Sequence, residues 1–196
     1  MKTSYSQMGQ DLWVLSVLEG KHNGTFVDIG CATPFFLNNT ALLETKYGWR
    51  GVAVDISPFG GRYHSPSIYE RTDHPYPKEI LDDPSLRTWD TRTNTKVYES
   101  DALVFDYDEC FSKNNLPSVI DFLSIDLDPP QTTFEVFQLL PHDKYKFRTI
   151  AFEHDSYRMA DPQAWEQHTR EVITSYGYKW VKTQSQDDYY VLDNWQ

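Results

Sequence analysis

Two cysteines in 196 residues, Cys31 and Cys110, are too few for a disulfide framework or a thiolate metal site. Both read as small packing residues. Long apolar runs are missing too: no stretch approaches the length of a membrane span. The opening Met-Lys-Thr-Ser-Tyr-Ser-Gln has no apolar signal core, so a cytoplasmic protein with no membrane partner is expected. Basic residues are scarce. Lys+Arg of 18 against Asp+Glu of 29 gives 18 − 29 = −11, and the basic residues are scattered. That balance argues against unaided binding to nucleic acid or anionic membrane. Repeats and low-complexity tracts are also absent. The length suits a single domain over 1–196 whose sheet is covered on both faces.

What is present is organised around Gly24 to Thr40. Thr25-Phe26-Val27-Asp28-Ile29 is β-branched and aromatic and stops at Gly30, and Asn38 or Asn39 is placed to cap the apolar run Ala41-Leu42-Leu43. Strand, tight loop and helix are expected in that order. A second strand, Val52-Ala53-Val54, then ends in Asp55. Such a unit binds a nucleoside in open α/β sheets, with the loop glycine and helix N-terminus near the ligand and the acid on the ribose hydroxyls.

Before this unit, Ser6 to Leu18 reads as a helix with Ser6 as its cap and Gly20 at its end. After it, Asn39 to Tyr47 is a helix closed by Gly48. From about 57 to 95, seven prolines and glycines between Pro58 and Pro84 mark an irregular insertion, in which Lys78 to Trp89 is expected to form a short helix. Lys96 to Glu99 is a third strand, followed by Ser100-Asp101-Ala102 and a short helix near Tyr107 to Lys113. Asp121 to Ile125 is an apolar run leading to Asp126, Leu127 and Asp128, as expected of a central strand whose tip reaches a site. Pro129-Pro130 opens a helix with Phe134, Phe137 and Leu140 on one face. Thr149 to Phe152 leads to Glu153-His154-Asp155. Asp161-Pro162 starts the clearest helix, with Trp165, His168, Val172 and Tyr176 in register as core positions. Tyr178 to Val181 and Tyr189 to Leu192 close the chain as a hairpin. The expected fold is therefore α/β: a doubly wound, mostly parallel sheet with one antiparallel strand. It gathers Gly30, Asp55, Asp101, Asp126, Asp128, Glu153 and His154 at one edge.

Taken together, Tyr5 to Asp11, Gly24 to Thr40, Leu43-Glu44, Gly48 to Gly51, the strand ending at Asp55, Asp121 to Asp126 and Phe152 to His154 resemble the FkbM-type, S-adenosylmethionine-dependent methyltransferases. The resemblance covers about half the chain. It implies a seven-stranded Rossmann-like sheet with the last pair reversed, and S-adenosylmethionine as cofactor. It assigns Asp28 and Gly30 to the methionine-side loop, Asp55 to the ribose, Asp101-Ala102 to the adenine edge, and Asp126 to a place beside the sulfonium, and it counts Asn39, in the family's Ser-Asn-Thr slot, among the cofactor-binding residues. Two departures stand out. The family's Gly-Ala-x-Asp-Gly is Gly30-Cys31-Ala32-Thr33-Pro34 here, and its Asp-x-Glu-Gly is Asp126-Leu127-Asp128-Pro129.

Asp126, Asp128, Glu153 and His154 suit either of two chemistries. They are donors for a hard divalent cation, or they form a polar rim in which His154 is a general base. The second is the expectation, with Asp126, Glu153 and His154 as catalytic residues and no metal. The acceptor expected is a small-molecule or saccharide hydroxyl. The rival readings are a non-catalytic nucleoside- or partner-binding module and a metal-dependent hydrolase.

Overall fold

The central strands are apolar and buried along nearly their whole length, as strands covered on both faces must be. The computed structural model describes residues 4–58 and 88–194. The helices are α1 (Gln10–Val17), α2 (Ala41–Tyr47), α3 (Tyr107–Lys113), α4 (Pro130–Leu139) and α5 (Pro162–Ser175). The strands are β1 (Thr25–Ile29), β2 (Arg50–Asp55), β3 (Thr95–Glu99), β4 (Val119–Ile125), β5 (Lys146–Glu153), β6 (Tyr178–Gln184) and β7 (Asp187–Leu192). They form one sheet in the order β3-β2-β1-β4-β5-β7-β6. The pairs among β1 to β5 are parallel, and β7 runs antiparallel to both β5 and β6. The order reverses at β1, which sits between β2 and β4. That is where a doubly wound sheet opens a crevice at its strand tips.

Strand alternation divides the core between two faces. Phe26, Phe122, Ala151 and Tyr189 pack with Val14 and Leu15 of α1 and Leu42 and Leu43 of α2. Their strand neighbours Val27, Leu123, Phe152 and Tyr190 pack with Phe111 of α3, Phe137 of α4 and Ile173 of α5. Cys31 and Cys110 are buried free thiols, as a packing role requires.

Several local expectations are corrected. Ser6 does not cap α1: the helix starts at Gln10 after Gly9 at φ 78°, and Ser6 pairs with Leu37 in a parallel bridge. The cause is Asp11, whose carboxylate accepts from Ser4 Oγ at 2.6 Å, Tyr5 N at 2.8 Å and Ser6 Oγ at 2.9 Å, holding residues 4–6 extended. Neither asparagine caps α2. Its N-cap is Thr40, whose N–H donates to Asn38 Oδ1 at 3.0 Å. On α5 the buried residues are Thr169 and Ile173; His168 is exposed and Trp165 half-buried, both with their rings against Phe134. Most of the expected helix at Lys78 to Trp89 lies outside the described residues, and Trp89–Thr91 is a single 3-10 turn. Among the described residues no helix is long and apolar enough to cross a membrane.

Candidate functional site

The site begins where β1 ends. Gly30 has φ 82°, and its N–H donates to Val54 O at 2.8 Å. A Cβ at Gly30 would land on the carbonyl oxygen of Asp126, so only glycine lets the tips of β1 and β4 close together. Asp126 N–H completes the juncture by donating to Ile29 O at 3.0 Å. At the tip of β2, Asp55 accepts from Ala32 N at 2.9 Å and Ser57 N at 2.7 Å. One bond to each oxygen leaves lone pairs over for a ligand. At the tip of β3, Asp101 accepts from Leu103 N at 2.9 Å, and Ala102 is buried with its carbonyl on Tyr107 Oη at 3.0 Å.

These tips surround a cleft of about 500 Å³. Its lining includes Gly30, Ala32, Asp55, Asp101 and Ala102 together with Gln7, Asp126 and Asp128. Of the residues expected at a cofactor, Gly30, Asp55, Asp101, Ala102 and Asp126 are thus brought together. Asp28 and Asn39 are not on the lining. Asp28 is buried under the loop and accepts from Thr40 Oγ1 at 2.9 Å and Asn38 Nδ2 at 3.3 Å; burial pushes its carboxyl up to about 6. Asn39 donates from Nδ2 to Ser124 Oγ at 2.9 Å.

The loop over β1 is shaped by a residue that the sequence did not single out. Arg92, fully buried, donates to Glu44 Oε2 at 2.5 Å, Pro34 O at 2.5 Å, Asn38 Oδ1 at 3.1 Å and Thr40 Oγ1 at 3.1 Å. Pro34 is not on the cleft lining, which takes Cys31, Ala32 and Thr33 from this stretch. Pro34 meets the clamp through its backbone carbonyl.

Behind Asp126 stands a second row of acids. Asp126 and Glu153 directly follow the paired Ile125 and Phe152 on neighbouring parallel strands, their carboxyls are hydrogen-bonded, and burial followed by this bond raises Glu153 well above the usual carboxylate range. Asp126 is also raised by burial, and the bond from Glu153 opposes that rise. Glu153 pairs across the strands with Asp187, which accepts from Gln10 Nε2 at 3.0 Å. Burial, then the Asp126 charge, push Asp187 up to about 7. Asp128, at the mouth, is held by Arg158, which also donates to Asp155 at 3.1 Å.

His154 is not brought to this group. His154, the residue after β5, is buried at 2% exposure with the charges of Glu166 and Arg170 of α5 beside its ring. Its Nδ1 accepts from Ser156 N at 3.1 Å, and its Nε2 is 4.0 Å from Asp188. Burial lowers its pKa, against the opposing pull of the Asp188 charge. Among the described residues no three His, Cys, Asp or Glu side chains are arranged to hold a metal ion.

No family model and no curated protein matches the chain by sequence. Solved structures do resemble it. The METTL16 methyltransferase domain is 14% identical with a TM-score of 0.52, matching 95% of this chain and 66% of that one. CalS11, the TDP-rhamnose 3'-O-methyltransferase of calicheamicin biosynthesis, is 18% identical with a TM-score of 0.51, over 93% and 77% of the two chains. A Pyrococcus horikoshii protein assigned as an RNA methyltransferase is 11% identical with a TM-score of 0.50, over 95% and 83%. This is the Rossmann-like methyltransferase fold. At such identities the likeness reaches the fold and not the acceptor. The neighbours are named for RNA and for sugar, so they lend no support to excluding nucleic acid.

Within that methyltransferase fold, the residues missed by sequence reasoning are Gln7, Gln10, Arg92 and Asp187. Asp187 carried a usable signal: an antiparallel strand brings its first residue, not its last, to the edge where parallel strands end. Arg92 carried none, being one basic residue in an irregular segment.

Proposed function

We propose that the chain is an S-adenosylmethionine-dependent methyltransferase of the FkbM type that methylates a hydroxyl on a small molecule or saccharide. The observation that carries this reading is the meeting of Gly30, Asp55, Asp101-Ala102 and Asp126 around one cleft at the sheet's switch point. About 500 Å³ is within the range of small-molecule sites. The donor set fits a nucleoside with a cationic group. Asp55 offers acceptors to ribose hydroxyls, Ile56 and Ala102 offer apolar contact to a base, and Asp126 offers an anion to a sulfonium. When bound, the cofactor supplies an electrophilic methyl group.

The chain's own part is binding, orientation and proton transfer. Gly30 keeps the backbone low enough for close approach, Asp55 fixes the nucleoside, and Gln7 and Thr132 share the lining with Asp126. Asp126 takes the proton released as the acceptor oxygen gains the methyl group. Its place on the cleft makes it a better base than His154, which faces α5. Positioning of this kind supplies much of the rate in an in-line displacement. A non-ionic acceptor suits the net charge of −11 and the acids on the lining.

Calorimetric titration with S-adenosylhomocysteine tests the reading. Micromolar binding that raises the melting temperature is expected, because a ligand selective for the folded state stabilises it. No binding of this ligand or of S-adenosylmethionine would refute it.

A further inference from the structure

The geometry points to Glu153, Asp187 and Gln10 as positioning residues that act through Asp126, a chain running from α1 across β7 and β5 to the cleft. This rests on the reading of Asp126 given above. Gln10 Nε2 holds Asp187, Asp187 pairs in register with Glu153, and Glu153 bonds Asp126, which alone of these four lines the cleft. Gln10 stands three residues after Gln7, itself on the lining, so the same N-terminal segment reaches both the cleft and the back of its acid.

The charges explain the arrangement. Asp126 is faced by Asp55 from β2 and Asp128 on its own loop, by Glu153 and Asp155 at the end of β5, by Asp187 from β7, and by Asp28 from β1. Arg158 answers Asp128 and Asp155, and Arg92 faces Asp28. Three carboxylates side by side at Asp126, Glu153 and Asp187 repel one another, and one proton on Glu153 relieves both neighbours. It also gives Asp126 a donor. Asp126 then stays a single, aimed anion: an attractor for a sulfonium and an acceptor for the hydroxyl proton. Without that donor, a desolvated Asp126 loses the bond that opposes its rise and binds a proton more readily.

Two measurements test this without an acceptor. The first is the ratio of affinities for S-adenosylmethionine, which is cationic at sulfur, and S-adenosylhomocysteine, which is not, measured from pH 6 to 9. Glu153→Ala is expected to cut the wild-type preference for the cationic ligand about tenfold at pH 7, with recovery as pH rises. Glu153→Gln keeps a donor on Asp126 and should stay within about twofold of wild type. An unchanged ratio in Glu153→Ala, or equal loss in Glu153→Gln, overturns the inference. The second is carbon-13 NMR of the side-chain carboxyls in the ligand-free protein. One glutamate signal should remain protonated at pH 8, vanish in Glu153→Gln, and titrate at lower pH in Asp187→Asn and Gln10→Leu. Glu153 ionised at pH 8 sinks the inference even if Glu153→Ala fails to fold. A wild type that binds neither ligand refutes the proposed function instead, while the carboxyl titration still decides where the proton sits.

Discussion

At the scale of single residues, Asp55 and Gly30 make separable contributions. Asp55 spends one bond on each of Ala32 and Ser57 and keeps acceptor capacity facing the cleft. Asp55→Ala removes charged acceptors, each worth about 1.5–3 kcal/mol, so S-adenosylhomocysteine should bind about 10- to 100-fold more weakly by calorimetry. Affinity equal to wild type would put the nucleoside elsewhere. Gly30→Ala acts on the fold itself. Its methyl group would meet the Asp126 carbonyl from a backbone at positive φ, and a loss of at least about 2 kcal/mol is expected in urea unfolding. Both residues were legible in the sequence, because a strand ending in glycine or in an acid is a local pattern. Glu153 was legible as an acid at a strand tip. Its separation from His154 was not, because β5 ends at Glu153 and the turn of the chain beyond it places the ring.

Among the elements, the β1–α2 loop owes its shape to groups far away in sequence. Arg92 reaches back 58 residues to Pro34 and 48 to Glu44. Removing one partner of a buried ion pair leaves the other uncompensated, so Arg92→Leu should destabilise the protein by about 3–5 kcal/mol. Chemical denaturation measures this directly, and a loss under about 1 kcal/mol would mean that the loop is held by other means. Pro34→Gly should behave differently. The Pro34 carbonyl, which Arg92 holds, survives the change, and the ring is off the cleft. A cost of about 1 kcal/mol through the unfolded chain, with S-adenosylhomocysteine affinity unchanged, is the expected result. The strands and helices around this loop were readable from periodicity. The clamp was not, because its partners share no short-range pattern.

For the whole molecule, buried acids set an unusual pH response. Asp28, raised to about 6, and Asp187, raised to about 7, bind protons more tightly folded than unfolded. Their stabilising contribution is complete below about pH 4, the unfolded range, and is lost as pH rises through 6 to 7. Buried His142 and His154 have lowered values and oppose this, since their contribution is lost as pH falls below the unfolded value of 6.5. A difference measurement separates the two. Relative to Asp187→Asn, the wild type should lose about 2 kcal/mol between pH 5 and 8, a relative fall of roughly 4–8 °C in melting temperature. Parallel curves for the two proteins would show that Asp187 titrates normally.

The sequence alone determined what depends on neighbours within a few residues. The alternation of strands and helices, the mostly parallel sheet, the glycine that ends β1 and the acids at the tips of β2, β3 and β4 all follow from local spacing and side-chain type. Tertiary structure decided which side chains meet. Gln10 and Asp187 are 177 residues apart, and only the reversed direction of β7 brings Asp187 beside Glu153. A shift of one residue in that pairing would turn Asp187 to the other face of the sheet. The acid behind the cleft is therefore a property of register, which no short stretch of the chain encodes.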